Sequence, residues 1–393
     1  MAHIAQYLDL GHAMPLELPA KWRWSMPKKP PDAKGRFLNI LLDMVKLRIG
    51  AGRISPKEYI DFKLYRPRYS SRAKQEFVGI DKAREIWFRA NYRLDLYALA
   101  NNKIASAMWF AAHGLPILPT VAIFHDAVGR SGLHTLQSES ELRAFLRNEK
   151  NYPLFGKPIQ GSRSLGAISL NNYVPSHDGI VTTVGQWVSI DDVVSFIRAH
   201  ADSGYQFQRR VSPHPVIGEV CGNRLATVRL LTVCRHGKPE VMRACWKIPA
   251  GAQAADNFWR FGNLLAQLEL NSGRVIRVIR MRGADHEEVS RHPDTDMPLL
   301  GMTLPSWSEI VRLAVDGAKL LSELPLVGWD IGVAETGPVL VEANVTPDFR
   351  LHQLVDQRGI VDTPFSAFIR DRMNDRREYL AAGRPMSFWR RMH

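Results

Sequence analysis

The stretch Val327–Gln353, VGWDIGVAETGPVLVEANVTPDFRLHQ, decides how this chain is read. Two short apolar runs flank Glu335-Thr336-Gly337-Pro338, a glycine-bearing junction, and this pattern predicts a β-hairpin. Polar residues interrupt the apolar runs at Asp330 on the first and at Glu342 and Asn344 on the second. Glu342 and Asn344 are two apart, so their side chains leave one face of the strand. Whether Asp330 joins them depends on the turn. A three-residue Thr336–Pro338 loop pairs Glu335 with Val339 and Asp330 with Asn344, gathering all three on one face. A two-residue Thr336-Gly337 loop puts Asp330 on the other face unless a bulge corrects the register. Two carboxylates and an amide oxygen are costly to bury together without a cation. Such a hard-oxygen set suits Mg2+, which keeps its waters and takes the rest of its shell from phosphate.

Upstream of the hairpin, Trp307–Leu321 reads as an amphipathic helix. Leu225–Val233 is an apolar strand with Arg229 at its centre, either a snorkelling edge cation or a site residue. Val241–Ile248 is the next strand, carrying Arg243 and Lys247, and Gly251–Arg260 is a loop containing Asp256-Asn257. Leu264–Leu270 and Arg274–Ile279 read as a strand pair around Asn271-Ser272-Gly273. Gln206–Val211 is a strand leaving into Ser212-Pro213-His214-Pro215, an exit that can bind an adenine through backbone groups. In KPIQGSRSLGAISL, Lys157 ends a strand and Gly161-Ser162-Arg163-Ser164-Leu165-Gly166 follows as a turn. Its backbone N–H groups can close over phosphates, with Lys157 as a point charge. Lysine before glycine, with a strand after, is the reverse of a Walker A loop.

At 393 residues, 45% hydrophobic and 23% charged, the chain has an ordinary globular composition and the length for several cores. No apolar run approaches the ~18 residues of a membrane span. The start, MAHIAQYLDLGHAMP, lacks the basic-then-apolar layout of a secretory signal. Cys221, Cys234 and Cys245 are too few and too irregular for a disulfide framework or a zinc site, so a reducing, cytoplasmic setting is expected. The net charge of +13 is unevenly placed. Residues 1–100 hold 19 Lys/Arg against 10 Asp/Glu, residues 370–393 hold 7 against 3, and 101–369 balance at 26 each. Basic ends are expected to be solvated surface, or to meet an anionic membrane face or another polyanion; nucleic acid is not expected as a partner. Within the first hundred residues, Trp22-Arg23-Trp24 and Pro27-Lys28-Lys29-Pro30-Pro31 form an irregular basic entry. Phe37–Ile49 has helical spacing, Ser55-Pro56-Lys57-Glu58 has the form of a capping box opening a helix through Tyr65, and Ile80–Leu99 is a third helical stretch. An apolar helix after Lys103 ends at His113-Gly114, Val121–Phe124 is a strand, and Ser138–Asn148 and Phe365–Leu380 are helices. The 13 histidines form no HExxH pattern, and there is no GxSxG elbow.

The order of these motifs resembles the ATP-grasp superfamily: Lys103 before a helix and GLPILP, Lys157-Pro158 with its Gly/Ser turn, a strand with Arg229, then Asp330 and Glu342-x-Asn344. EANVTP is similar to the Glu-x-Asn-x-x-Pro run of the D-alanine–D-alanine ligase branch. KEYIDFKLYR (Lys57–Arg66) and Asp256-Asn257-Phe258 resemble the sugar-transfer-associated ATP-grasp proteins. The resemblance spans about residues 50–370 and implies an α+β ATP-grasp fold. Two α+β lobes with antiparallel sheets would clasp ATP, preceded by a small helical N-terminal region. The implied division is a basic helical region at 1–100, a preceding segment at 101–150, a lid lobe at 151–211, a C-terminal lobe with the metal site at 212–370, and a basic tail at 371–393. By the same resemblance, Lys103 and Lys157 contact the ATP phosphates, and Gly161, Ser162, Arg163, Ser164 and Gly166 form the covering loop. Gln208 and Glu219 reach the nucleoside, and Asp330, Glu342 and Asn344 hold one or two Mg2+, with Mn2+ as a substitute. Arg229 steadies an acyl-phosphate and the tetrahedral species after it.

Three departures from the family pattern stand out. Arg163 and Leu165 occupy loop positions where small residues are commoner, Gln206 and Gln208 stand where an acid is usual, and Asp348 follows Pro347 in place of glycine. The implied activity is ligation of a small-molecule carboxylate to an amine or thiol, sugar-linked and tied to cell-surface polysaccharide in the nearest group. The alternatives are an ATP-grasp phosphotransferase and a basic binding protein without turnover. Ligation of this kind needs positioning and charge neutralisation more than a protein nucleophile.

Overall fold

The structure, a computed structural model, describes residues 33–93, 96–125, 132–160, 165–251, 256–259, 262–282 and 285–381. Among these, the strands form two seven-stranded sheets. The first contains β1 (Thr120–Phe124), β2 (Thr135–Leu136), β3 (Leu154–Pro158), β4 (Ile168–Val174), β5 (Gly179–Thr182), β6 (Trp187–Ser189) and β7 (Tyr205–Arg209), in the order β2-β1-β7-β3-β4-β5-β6. The second contains β8 (Thr227–Arg235), β9 (Lys238–Ile248), β10 (Leu264–Leu268), β11 (Val275–Arg282), β12 (Asp285–Glu288), β13 (Leu326–Ala334) and β14 (Gly337–Asn344), in the order β12-β11-β10-β9-β8-β13-β14. Every pairing is antiparallel except β1–β2. β1 and β2 thus extend the first sheet back into the segment 101–150. The α+β, two-sheet architecture agrees with the sequence expectation.

The helices are α1 (Ala33–Ile49), α2 (Pro56–Asp61), α3 (Ser71–Gln75), α4 (Ile80–Ala90), α5 (Tyr97–Asn101), α6 (Lys103–Ala112), α7 (Glu139–Arg147), α8 (Ile190–Ala199), α9 (Pro215–Cys221), α10 (Trp307–Leu320), α11 (Phe349–Asp356) and α12 (Thr363–Ala381). No described helix is long and apolar enough to cross a membrane, and the three cysteines are free and buried.

Period-two alternation gives the first sheet one apolar and one polar face, whereas the second sheet, buried all along β13, carries apolar residues on both. On the first sheet, Leu154, Leu170, Tyr205 and Phe207 pack with α7 and α8 through Leu142, Phe145, Val193 and Ile197. Lys157 pairs with Gln206 and Phe155 with Gln208, all on the opposite face. On the second sheet, Val228, Leu230, Trp246, Trp329 and Ile331 pack against Ile310, Ala314 and Ala318 of α10. The approach is close enough that a Cβ at Gly317 would lie 2.7 Å from the Trp329 ring.

The other face of the second sheet is covered in part by the N-terminal helices. Leu47, Ile54, Tyr59 and Phe62 join Cys245, Leu265, Leu351 and Val355 in one apolar cluster. The N-terminal region therefore forms a layer on the C-terminal lobe and shares its core. The capping box of α2 is present, with Glu58 accepting from the Ser55 N–H at 2.9 Å. That helix ends at Asp61, short of the expected Tyr65. The third helical stretch breaks after Ala90 because Asn91 is spent elsewhere. Its fully buried side chain donates to the carbonyls of Leu326 (2.8 Å) and Val345 (2.9 Å) and accepts from the Leu326 N–H (3.0 Å).

Candidate functional site

Strand register brings the polar residues of the second sheet together. The β13–β14 turn is Glu335-Thr336: Ala334 pairs with Gly337 and Ile331 with Leu340. Continued unchanged, that pairing would leave Asp330 on the face away from Glu342. A bulge at Val341 shifts the register, so that Asp330 faces Glu342 and Gly328 faces Asn344. Of the two turns the sequence left open, the structure follows the second in kind, a two-residue turn with a bulge that corrects the register, placed at Glu335-Thr336 and not at Thr336-Gly337, and the three oxygen-bearing residues share one face.

Across β8 and β13, Arg229 pairs with Asp330. Arg229 donates from Nε to Oδ1 (2.5 Å) and from Nη2 to Oδ2 (2.7 Å), and Lys247 Nζ lies 3.1 Å from the same Oδ2. Lys247 also lies 3.6 Å from Asp256 Oδ1. The other oxygen of Asp256 accepts from the N–H (2.7 Å) and hydroxyl (2.5 Å) of Thr227. Gly328 leaves room for this arrangement, since a Cβ there would stand 3.2 Å from Arg229 Cδ. Arg229 and Lys247 are each 8% exposed and Asp330 5%, so charges of alternating sign run through a buried row. Burial works against ionised Asp330, but the two cations outweigh it and hold the carboxyl well below its usual range. Burial likewise opposes charge on Arg229 and Lys247, and their acidic neighbours more than offset it, raising both. At Asp256 burial prevails and its carboxyl is pushed up.

The sequence expectation makes Asp330 a metal ligand. In the structure both its oxygens already accept from cations, which leaves Glu342, lining the cleft, and Asn344, two residues on along the same face, as the less committed oxygen donors. Glu342 is half-buried and has no hydrogen bond or ion pair with a described residue. Asn344 donates from Nδ2 to the Gly328 carbonyl (3.3 Å), which leaves Oδ1 as an acceptor. Among the described residues no group of three or more His, Cys, Asp or Glu could hold a metal ion. One carboxylate and one amide oxygen still fit Mg2+, which binds through one or two protein ligands when phosphate and water complete its shell.

The first sheet contributes the phosphate-type cations. Lys157 is 9% exposed and makes no hydrogen bond or ion pair with a described residue. Burial pulls its pKa down to about 8, with Glu342 opposing and Lys103 adding to the shift. Lys103 opens α6, which is capped by Asn102, and its Nζ lies 3.5 Å from the Ile159 carbonyl. Both lysines line the same cleft as Asp330 and Glu342, a space of about 1080 Å3 including its open mouth. Gln208 also lines it, donating from Nε2 to the Leu118 carbonyl (3.2 Å). The Oε1 atoms of Gln206 and Gln208 are buried without a partner.

Other expected residues fall elsewhere. Gly161, Ser162, Arg163 and Ser164 lie outside the described residues. Gly166, just beyond them, has φ +73, and its carbonyl accepts from the Tyr205 hydroxyl at 2.7 Å. Glu219 is exposed on α9 and does not line the cleft. Lys247, Asp256, Arg210 and Arg224 line the cleft, and none of them was given a site role from the sequence, although Lys247 and Asp256 were noted there. The signal for Lys247 was present: Arg243, Cys245 and Lys247 alternate in an apolar strand, the same spacing that marks Glu342 and Asn344.

A family model described as sugar-transfer associated ATP-grasp matches residues 83–366. Over 102 residues the chain is 34% identical to the D-alanine–D-alanine ligase of Treponema pallidum, a stretch covering 26% of this chain and 24% of that protein. The chain thus spans about a quarter of the length of that curated relative. Among solved structures, the D-alanine–D-alanine ligase of Bacillus anthracis superposes with a TM-score of 0.40 at 14% identity, covering 71% of this chain and 69% of that one. A biotin carboxylase of Campylobacter jejuni superposes with a TM-score of 0.42 at 9% identity, covering 70% and 46%. On the family match, which takes in β1 through α11, the chain belongs to the sugar-transfer-associated ATP-grasp family.

Proposed function

We propose that this protein is an ATP- and Mg2+-dependent ligase that activates a substrate carboxylate as an acyl-phosphate and passes the acyl group to an amine or thiol. The observation that carries this reading is convergence. Lys103 and Lys157, from the first sheet's side, share one cleft with Lys247, Asp330 and Glu342 of the second sheet, and Arg229 stands behind Asp330 in the same row. A buried lysine with no partner among the described residues suits a bound polyanion, because a phosphate would supply a counter-charge. The unpartnered Oε1 atoms of Gln206 and Gln208 suit an N–H donor such as an exocyclic amine. Glu342 and Asn344 are the residues that would hold the metal, and a bound Mg2+ supplies neutralisation of phosphate charge.

Chemically, a carboxylate oxygen attacks the γ-phosphorus as the bond to ADP breaks. The amine or thiol then attacks the acyl carbon, the carbon–oxygen bond to phosphate breaks, and the attacking group loses its proton. Arg229, clamped by Asp330 through Nε and Nη2, keeps its Nη1 edge free of acceptors among the described residues. That edge would meet the oxyanion developing at the acyl carbon, with Lys247 fixing the position of the Asp330 clamp. The family description supports sugar-linked acids or amines as substrates, hence a step in cell-surface polysaccharide assembly. The test is a screen for ADP and phosphate release over panels of carboxylates, with and without amines and thiols. Phosphate release that needs both co-substrates supports the ligase. ADP formation matched by a phosphorylated acceptor, with no free phosphate, points to the phosphotransferase.

A further inference from the structure

α1 is apolar on both sides. Ile40, Met44 and Leu47 pack inward on the cluster beneath the second sheet. Phe37, Leu38, Leu41, Leu42, Val45 and Ile49 face outward, between 41% and 81% exposed. At 100° per residue these six fall within one arc of about 140°, entered by Arg48 at the helix's C-terminal end, where it pairs with Asp81. Single exposed apolar residues are ordinary on a monomer, whereas a contiguous strip of six marks an interaction face. The surrounding charge is one-sided. Residues 33–75 hold 11 Lys/Arg against 3 Asp/Glu, +8, although Arg48, Arg53 and Lys63 pair with Asp81, Glu85 and Asp285 outside that stretch. All three acids are engaged within the protein: Asp43 with Tyr59 and Lys74, Glu58 in its capping box, Asp61 with Lys57. Lys46 and Arg72 are exposed and unpaired among the described residues.

We propose that α1 docks this protein on an anionic lipid surface. The apolar arc enters the boundary between headgroups and acyl chains, and the surrounding Lys and Arg side chains meet lipid phosphates. Charge decides between lipid and a second copy of the chain: a dimer through α1 would set one +8 region against another, and like charge opposes that association. An anionic bilayer complements both the apolar arc and its basic border.

The test is co-sedimentation of the full chain with phosphatidylcholine vesicles and with vesicles carrying about one third phosphatidylglycerol. The comparison is the triple variant Leu38→Gln, Leu42→Gln, Val45→Gln. These side chains are solvent-exposed, so the variant should keep the wild-type melting temperature. The wild type should pellet with the anionic vesicles, far less with the neutral ones, and less at high salt. The triple variant should partition at least about tenfold more weakly. Three results would overturn the proposal: wild-type protein left in the supernatant with anionic vesicles, a triple variant that binds as well as wild type, or a wild-type dimer in analytical ultracentrifugation that the triple variant returns to the 44.5 kDa monomer. The dimer would show that a second copy covers the face.

Discussion

Replacing Asp330 with asparagine keeps the shape of the side chain and removes the charge that two buried cations share. Arg229 loses its bidentate partner and Lys247 loses its nearer one, at 3.1 Å, keeping only Asp256 at 3.6 Å. Both cations are 8% exposed, so water cannot replace what is lost. Breaking a buried pair from one side costs about 3–5 kcal/mol. Urea unfolding followed by circular dichroism should therefore show Asp330→Asn destabilised by about that amount. Adding Lys247→Met to Asp330→Asn should recover part of it, with a coupling of about 1–3 kcal/mol. The pH dependence has a definite sign. The folded-state pKa of Asp330 lies below its ordinary 3.8, so its contribution is present above about pH 4 and fades as pH falls through the folded value. The gap between wild type and variant should accordingly persist from pH 8 to 5. An Asp330→Asn protein within about 0.5 kcal/mol of wild type would refute the buried charge row as described.

Four further outcomes follow from individual contacts. Lys157 has its pKa pulled down to about 8, so ATP affinity should fall about tenfold between pH 7 and 9 in calorimetric titrations, and Lys157→Arg should flatten that profile. The same shift means that unliganded wild type gains stability relative to Lys157→Met as pH rises from about 8 toward 10.5, because the unfolded chain holds the proton more tightly there. Asn91→Ala strips three hydrogen bonds from the buried backbone of Leu326 and Val345, and should cost about 3 kcal/mol or more in chemical denaturation. Gly317→Ala, which in an exposed helix would stabilise, should cost about 1–3 kcal/mol here because its Cβ meets the Trp329 ring at 2.7 Å.

The sequence carried the longer strands of the second sheet, because each is a nearly unbroken apolar run bounded by turn residues, and it missed the short polar β12 (Asp285–Glu288). It also placed Glu342 and Asn344 on one face, since two-residue spacing survives any choice of turn. The bulge at Val341 was not legible: nothing in Leu340-Val341-Glu342 departs from strand composition, and only pairing with Asp330 reveals it. The engagement of Asp330 by Arg229 and Lys247 was hidden for the same reason, because β8 and β9 are distant in sequence from β13 and their register is set in three dimensions. Asn91 interrupted an otherwise helical pattern for a tertiary purpose, capping β13 from the N-terminal layer, which local periodicity cannot signal. The helical N-terminal region was visible as helices. That it shares a core with the C-terminal lobe was not, because Leu47, Tyr59 and Phe62 look alike whether they bury against each other or against a sheet.

The central claim is that Glu342, with Asn344, presents a divalent cation to phosphates gathered by Lys103 and Lys157. It is tested most directly by titrating ATP calorimetrically into wild-type protein and Glu342→Gln, each with Mg2+ and with a chelator. The account expects wild-type affinity to depend on Mg2+, and Glu342→Gln to lose about tenfold or more of that dependence while its melting temperature is unchanged. ATP binding that is equally tight in Glu342→Gln with Mg2+, or in wild type with the chelator, would contradict it.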